Sequence, residues 1–245
     1  MTGTNADIIA QLQRDILPLQ GFKTPLHNTV IDAVPEPIKN AFPNGSFPLG
    51  AIHEFMYAGA EDAAATGGFV TAVMASLMRS GGPSIWISSS GLIFPPALKA
   101  FDIAPDKIIF IYLQKEKEIL WAMEEALKCD GLSAVIGEIP ELSFTASRRL
   151  QLAVEQSRVT GFILRPSFTN LNTTACLTRW KIIPLPSELP GGMPGVGFPR
   201  WNVELLKIRN GKPGAWQIEF TGGHLSHVPK ISAIPIPVEQ QKKTG

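Results

Sequence analysis

The sequence predicts a large α/β domain, with a largely parallel sheet flanked by helices and antiparallel strands at the C-terminal edge. Three observations carry this. From Ile52 to Leu164, short continuous apolar runs alternate with amphipathic stretches of about 10 to 15 residues, the pattern of parallel strands joined by right-handed helical crossovers. From Ala175 to Phe220, strand patterns follow one another with no helix between them, which requires antiparallel pairing there. Phe47 to Phe69 reads as a turn, a buried strand, a small-residue loop and the start of a helix.

In chain order, Asn5 to Leu17 places Ile8, Ile9, Leu12, Ile16 and Leu17 at helical spacing, and Pro18 and Gly21 end the pattern. Gly21 to Ser46 is rich in Pro and turn residues and reads as an arm. The central strand ends near Glu54, and Ala64 to Arg79 is a helix of small and apolar residues stopped by Ser80-Gly81-Gly82-Pro83. Ser84 to Ser88 and Lys107 to Leu113 are apolar runs of the kind buried in parallel sheets, with a short helix at Pro96 to Phe101 between them. Glu116 to Lys128 is amphipathic, with Ile119, Leu120, Met123 and Leu127 on one face. A strand at Leu132 to Ile136, a helix at Thr145 to Val159 and a strand at Gly161 to Leu164 complete the alternating part. Ala175 to Leu185, Trp201 to Arg209 and Trp216 to Phe220 are the antiparallel strands, with a long hairpin loop over Pro186 to Pro199. Val228 to Gly245 reads as an extended or disordered tail. The expected division is an N-terminal helix and arm over 1–46, a core domain over 47–227 and the tail over 228–245.

Bulk properties exclude several classes. A net charge of +1 and a pI near 7.8 give no whole-molecule field toward nucleic acid or anionic lipid. No run approaches the roughly 20 apolar residues of a membrane span. The first helical segment, with Asp7, Arg14 and Asp15, lacks the basic start and apolar core of a signal peptide. Only Cys129 and Cys176 are present, which fits reduced thiols in a cytoplasmic protein rather than a disulfide framework or a zinc cluster.

A strand handing over to a helix through small residues is the geometry of a phosphate-binding loop. Gly59, Thr66, Gly67 and Gly68 are its candidate residues. A working loop of the form G-x-x-x-x-G-K-[ST] grips phosphate through its Lys. Here Gly67 is followed by Gly68 and Phe69, and no Lys occurs between Lys39 and Lys99. The expectation is a retained cradle without its grip, no cofactor and no ATPase. His224-x-x-His227 has metal-like spacing but lacks the third and fourth ligands of a zinc site, so solvated histidines are expected. Lys207-Ile208-Arg209-Asn210-Gly211-Lys212 suits a hairpin turn at Asn-Gly, with Lys207 and Arg209 on one face of the strand.

Several strings resemble the RecA-like recombinase superfamily. Phe47-Pro48-Leu49-Gly50 before the central strand, Ile85 to Ser90 followed by Pro95 to Ile103, and Leu132 to Ile136 with Glu138 just after match that superfamily in order. The resemblance puts Ser90 where an ATP-activating Glu would stand and Glu138 at the metal-binding acidic position. With Glu54 these would form a vestigial magnesium site. A closer resemblance is to the ImuA family. It rests on His53-Glu54, on Thr66-Gly67-Gly68-Phe69 after the Ala-rich stretch, and on Thr178-Arg179-Trp180. Gly197 to Leu206 and Arg209 to Trp216 complete the set. It implies a non-catalytic protein of SOS-induced, error-prone translesion DNA repair, with an ImuB-like protein, an error-prone polymerase and RecA as partners. The hairpin resembles that of hexameric helicases, which makes Lys207, Arg209 and Lys212 candidate interaction residues toward a neighbouring subunit. The superfamily's two DNA-binding loops would fall at Pro140 to Phe144 and Ser167 to Thr174. Neither contains Lys or Arg, so weak or absent direct DNA binding is expected. Nearby Arg148, Arg149, Arg158 and Arg165 read as helix-surface cations. The alternatives are a SulA-like inhibitor of cell division and a divergent ATPase.

Overall fold

The computed structural model describes residues 11, 12, 16, 32–79, 81–89, 93–166, 172–188 and 197–229. Its helices are α1 (Glu36–Lys39), α2 (Ala60–Met78), α3 (Glu116–Leu127) and α4 (Phe144–Ser157). Its strands are β1 (Ile52–Tyr57), β2 (Ser84–Ser88), β3 (Ile108–Tyr112), β4 (Ala134–Glu138), β5 (Thr160–Pro166), β6 (Thr178–Leu185), β7 (Arg200–Ile208), β8 (Gly214–Thr221) and β9 (His224–His227). They form one nine-stranded sheet in the order β3-β2-β4-β5-β1-β6-β7-β8-β9. Pairing is parallel from β3 through to β6 and antiparallel from β6 to β9.

Alternation along each strand divides the core into two layers. On one face α2 packs over Phe55, Trp86, Phe162 and Trp180. On the other α3 and α4 pack over Ile52, Ile87, Val135 and Ile163. β1 lies inside the sheet with both faces covered, so Ile52 to Met56 are all buried. That is why its sequence shows no polar alternation.

α2 begins at Ala60 rather than Ala64, because the Ala-rich run favours helix and Glu61 and Asp62 suit a first turn. Gly50 enters β1 at φ +61, with its Cα side 3.1 Å from the Arg158 backbone for any added Cβ. Only Gly fits that crossing. The stretch expected to be an arm is, from residue 32 onward, part of the core. Ala33, Val34, Ile38, Ala41, Phe42 and Phe47 are buried, and Phe42 and Phe47 lie against Trp180. Lys212 N–H donates to the Ala41 carbonyl at 2.9 Å, tying the β7–β8 hairpin to this segment. β9 was not anticipated; it pairs with β8 from Thr221↔His224 to Ile218↔His227. Of the anticipated N-terminal helix, Gln11, Leu12 and Ile16 are helical and the other residues lie outside the described ones, as do Ser90, 167–171, 189–196 and the tail from 230. Among the described residues, no helix is long and apolar enough to cross a membrane.

Candidate functional site

Two buried polar clusters meet at β1. Parallel pairing sets His53 opposite Thr178 and Glu54 opposite Arg179, and sets Met56 opposite Arg165 on the other side. Two of the strings singled out in the sequence, His53-Glu54 and Thr178-Arg179-Trp180, therefore interlock pairwise, one pair on each face of the sheet.

On the α3 and α4 face, Glu54 is completely buried. Its Oε1 accepts from Arg165 Nη1 at 3.0 Å, and its Oε2 accepts from Arg179 Nε at 2.7 Å and from Thr174 Oγ1 at 3.0 Å. The same cations reach further. Arg165 Nη1 also donates to Asn172 Oδ1 at 3.2 Å, Arg179 Nη2 donates to the Asn172 carbonyl at 2.8 Å, and Lys207 Nζ donates to the Thr174 carbonyl at 3.1 Å. Asn172 Nδ2 donates to the Leu142 carbonyl at 2.6 Å. The segment leading into β6 is thus fastened to residues of β1, β5, β6 and β7 and to the turn before α4. The Cys176 thiol beside it is pushed up to about 12 by burial and by the Glu54 charge, so it stays protonated and unreactive.

On the α2 face, His53 is equally buried but neutral. Its Nε2 lies 2.8 Å from the Pro48 carbonyl, which can only accept, so Nε2 carries the proton. Nδ1 then accepts from Thr178 Oγ1 at 2.7 Å, and Thr178 Oγ1 in turn accepts from Trp180 Nε1 at 2.7 Å. Phe47 and Phe162 stack on the ring. Burial lowers its pKa to about 4.

The expected phosphate cradle is not formed. β1 passes into α2 through Ala58 and Gly59 alone, and Gly59 is the helix N-cap with extended backbone. Thr66, Gly67 and Gly68 lie inside the helix, where backbone amides are spent on helical bonds. Glu61 and Asp62 occupy the first turn, and Asp62 accepts from the Ala58 amide at 3.2 Å. Two carboxylates stand where the helix terminus would otherwise favour phosphate. Gly68 has a packing reason instead, since a Cβ there would sit 3.1 Å from Trp201.

Nor do the expected acidic residues share a site. Glu54 faces α3 and α4, whereas Glu138, at the end of β4, faces α2 and accepts from Trp86 Nε1 at 3.0 Å. Strand alternation and the Arg165 and Arg179 pairing exclude a joint magnesium site. Arg165 is not a helix-surface cation but a buried β5 residue. His224 and His227 are exposed at the two ends of β9. An offset of three along a strand turns them to opposite faces, so they cannot chelate together. Among the described residues, no group of three or more His, Cys, Asp and Glu is placed to hold a metal. Lys207 is drawn inward onto Thr174, while Arg209 and Lys212 are exposed in the hairpin turn, where Asn210 takes φ +56. β7 ends at Ile208, so alternation does not hold Arg209 to the Lys207 face.

The partners of Glu54 escaped the sequence reading, although one signal pointed to them. A carboxylate inside an apolar strand must find a counter-charge. Arg165, directly after the apolar run Gly161 to Leu164, and Arg179, within the run Ala175 to Leu185, were cations placed to supply it.

No protein-family model matches the chain. Protein ImuA of Caulobacter vibrioides is 36% identical over 221 residues, covering 84% of this chain and 89% of that protein. The cell division inhibitor SulA of Photorhabdus laumondii is 27% identical over 122 residues, covering 48% of this chain and 69% of that protein. Among solved structures, the RadB recombinase superposes with a TM-score of 0.53 at 14% identity, covering 76% of this chain and 94% of that one. That likeness shows a RecA-like fold.

Proposed function

The chain belongs to the ImuA family, and from that premise we propose that it is a non-catalytic RecA-like accessory protein of SOS-induced, error-prone translesion repair. It acts through protein contacts, with an ImuB-like protein, an error-prone polymerase and RecA as partners. The observation that carries the non-catalytic part is the short passage from β1 to α2, which holds no Lys and has Glu61 and Asp62 in the first helical turn. Phosphoryl transfer needs a cation and a Lys on the β- and γ-phosphates, and this terminus offers negative charge instead. Arg209 and Lys212 are exposed in the hairpin turn, whereas Lys207 donates inward to the Thr174 carbonyl. Any contact of the hairpin with a neighbour therefore runs through the turn rather than the strand.

Two measurements test this reading. Purified protein is mixed with ATP and magnesium, alone and with single-stranded DNA, and phosphate release is followed. No turnover above the buffer rate is expected; magnesium-dependent turnover lost in Glu138→Ala would establish a divergent ATPase instead. Tagged protein is then recovered from cells after DNA damage, and the co-purifying proteins are identified. An ImuB-like protein is expected among them, and its absence from the co-purifying proteins removes the mutagenesis reading.

The SulA match favours a second reading, a division inhibitor. Under it, expression without DNA damage would make cells filament and the protein would co-purify with the tubulin-like division protein. Normal cell length at high expression rules it out.

A further inference from the structure

At the carboxyl ends of β1, β4 and β5, on the face that carries α3 and α4, lies a cleft of about 330 Å³. Met56 and Leu142 supply apolar wall, Ser143, Arg165 and Asn172 supply polar wall, and Glu141 lines it as well. We propose that this cleft captures the free α-carboxylate of a partner chain's C-terminus, with an apolar last side chain against Met56 and Leu142.

Charge is the first argument. Arg165 and Arg179 share the single carboxylate of Glu54, and Lys207 reaches the same segment, so positive charge exceeds negative in this cluster. Excess buried charge is strongly unfavourable without a counter-ion. Arg165 is 7% exposed, its Nε is buried with no acceptor among the described residues, and of the two arginines it is the one that lines the cleft. A carboxylate beside Arg165 supplies both an acceptor and negative charge.

The start of α4 provides the second argument. Ser143 caps the helix by accepting from the Ala146 amide at 3.1 Å, and the Ser147 amide bonds the Ser143 carbonyl. The amides of Phe144 and Thr145 are left without helical partners. A helix terminus with free amides beside a guanidinium is a recurring way to hold a terminal carboxylate. Phe144, 56% exposed at the first helical position, directly follows Ser143 of the cleft lining.

Two further features select a chain end over a nucleic acid. Residues 140–144 and 172–174 contain no Lys or Arg to neutralise a run of phosphates. The volume lies at the small end of ligand pockets, about 300–1,000 Å³. That is room for a terminal residue or two. The site is a property of this fold whatever pathway the protein serves.

The test pans the full-length protein against a display library of random heptapeptides with free carboxyl termini. The strongest binder is then synthesised as acid and as C-terminal amide. The expected result is selection for an apolar last residue and a loss of about ten-fold or more on amidation. Ser143→Asp keeps the N-cap but places a carboxylate in the cleft, so it should weaken the acid by a similar factor at unchanged melting temperature. Phe144→Ala should weaken it less. The proposal is overturned if acid and amide bind alike, if Ser143→Asp binds like the wild type, or if no peptide is enriched over Ser143→Asp. It is equally overturned if the selected peptides depend on an internal Asp or Glu, or if oligothymidylate displaces them.

Discussion

Two adjacent residues of β1 are buried to the same degree and are held in opposite ways. His53 is neutral, and each ring nitrogen has one neutral partner, the Pro48 carbonyl and the Thr178 hydroxyl. Glu54 is paired with two guanidiniums from β5 and β6 and accepts from the Thr174 hydroxyl of the segment before β6. The difference shows how one strand can anchor two layers. The α2 face is closed by a neutral chain of hydrogen bonds under aromatic rings, and the α4 face by ion pairs that also fix the segment before β6. A neutral network fails by protonation, whereas an ionic one fails by losing a partner.

The largest expected effect follows from that contrast. Glu54→Ala leaves Arg165 and Arg179 buried together without a counter-charge and should cost about 3–5 kcal/mol in urea unfolding. Glu54→Ala combined with Arg179→Met should recover part of the loss. A double variant no more stable than the single one would show that the ion pairing is not what holds this face.

His53 sets the pH side of the comparison. The unfolded chain takes up the imidazole proton near 6.5 and the folded chain only near 4. Between those values the unfolded state binds more protons, so stability is full above pH 6.5 and falls as pH drops toward 4, by roughly 3 kcal/mol over the window. His53→Gln should flatten that dependence while lowering stability at pH 7. An unchanged slope in the variant would place the acid sensitivity elsewhere.

A smaller effect separates packing from phosphate binding in α2. Gly67→Ala meets only ordinary contact with Ile93 at 3.8 Å and should stabilise the helix by up to about 1 kcal/mol. Gly68→Ala presses on Trp201 at 3.1 Å and should instead lose about 1 kcal/mol. Equal effects at the two positions would remove the packing explanation for Gly68. The smallest change is expected at the hairpin, where Arg209→Ala and Lys212→Ala should stay within about 0.5 kcal/mol in stability. A larger loss there would mean that the turn is structural rather than a surface for contacts.

The order of strands and helices was legible in the residues themselves. Runs such as Ser84-Ile85-Trp86-Ile87-Ser88 and the amphipathic stretch from Glu116 carry their own period, and local periodicity fixes element type. The hairpin turn at Asn210-Gly211 was equally local, since backbone conformation there depends on the residue alone. The start of α2 was legible as well, since helix propensity and the acidic first turn that draw Ala60 to Ala63 into the helix are local features. One thing was decided only in three dimensions, the partnership of Glu54 with Arg165 and Arg179, residues separated by 111 and 125 positions. Spacing along a chain carries no record of which strands become neighbours. Only the strand order β5-β1-β6 brings the two cations to the carboxylate, and only burial makes that meeting obligatory.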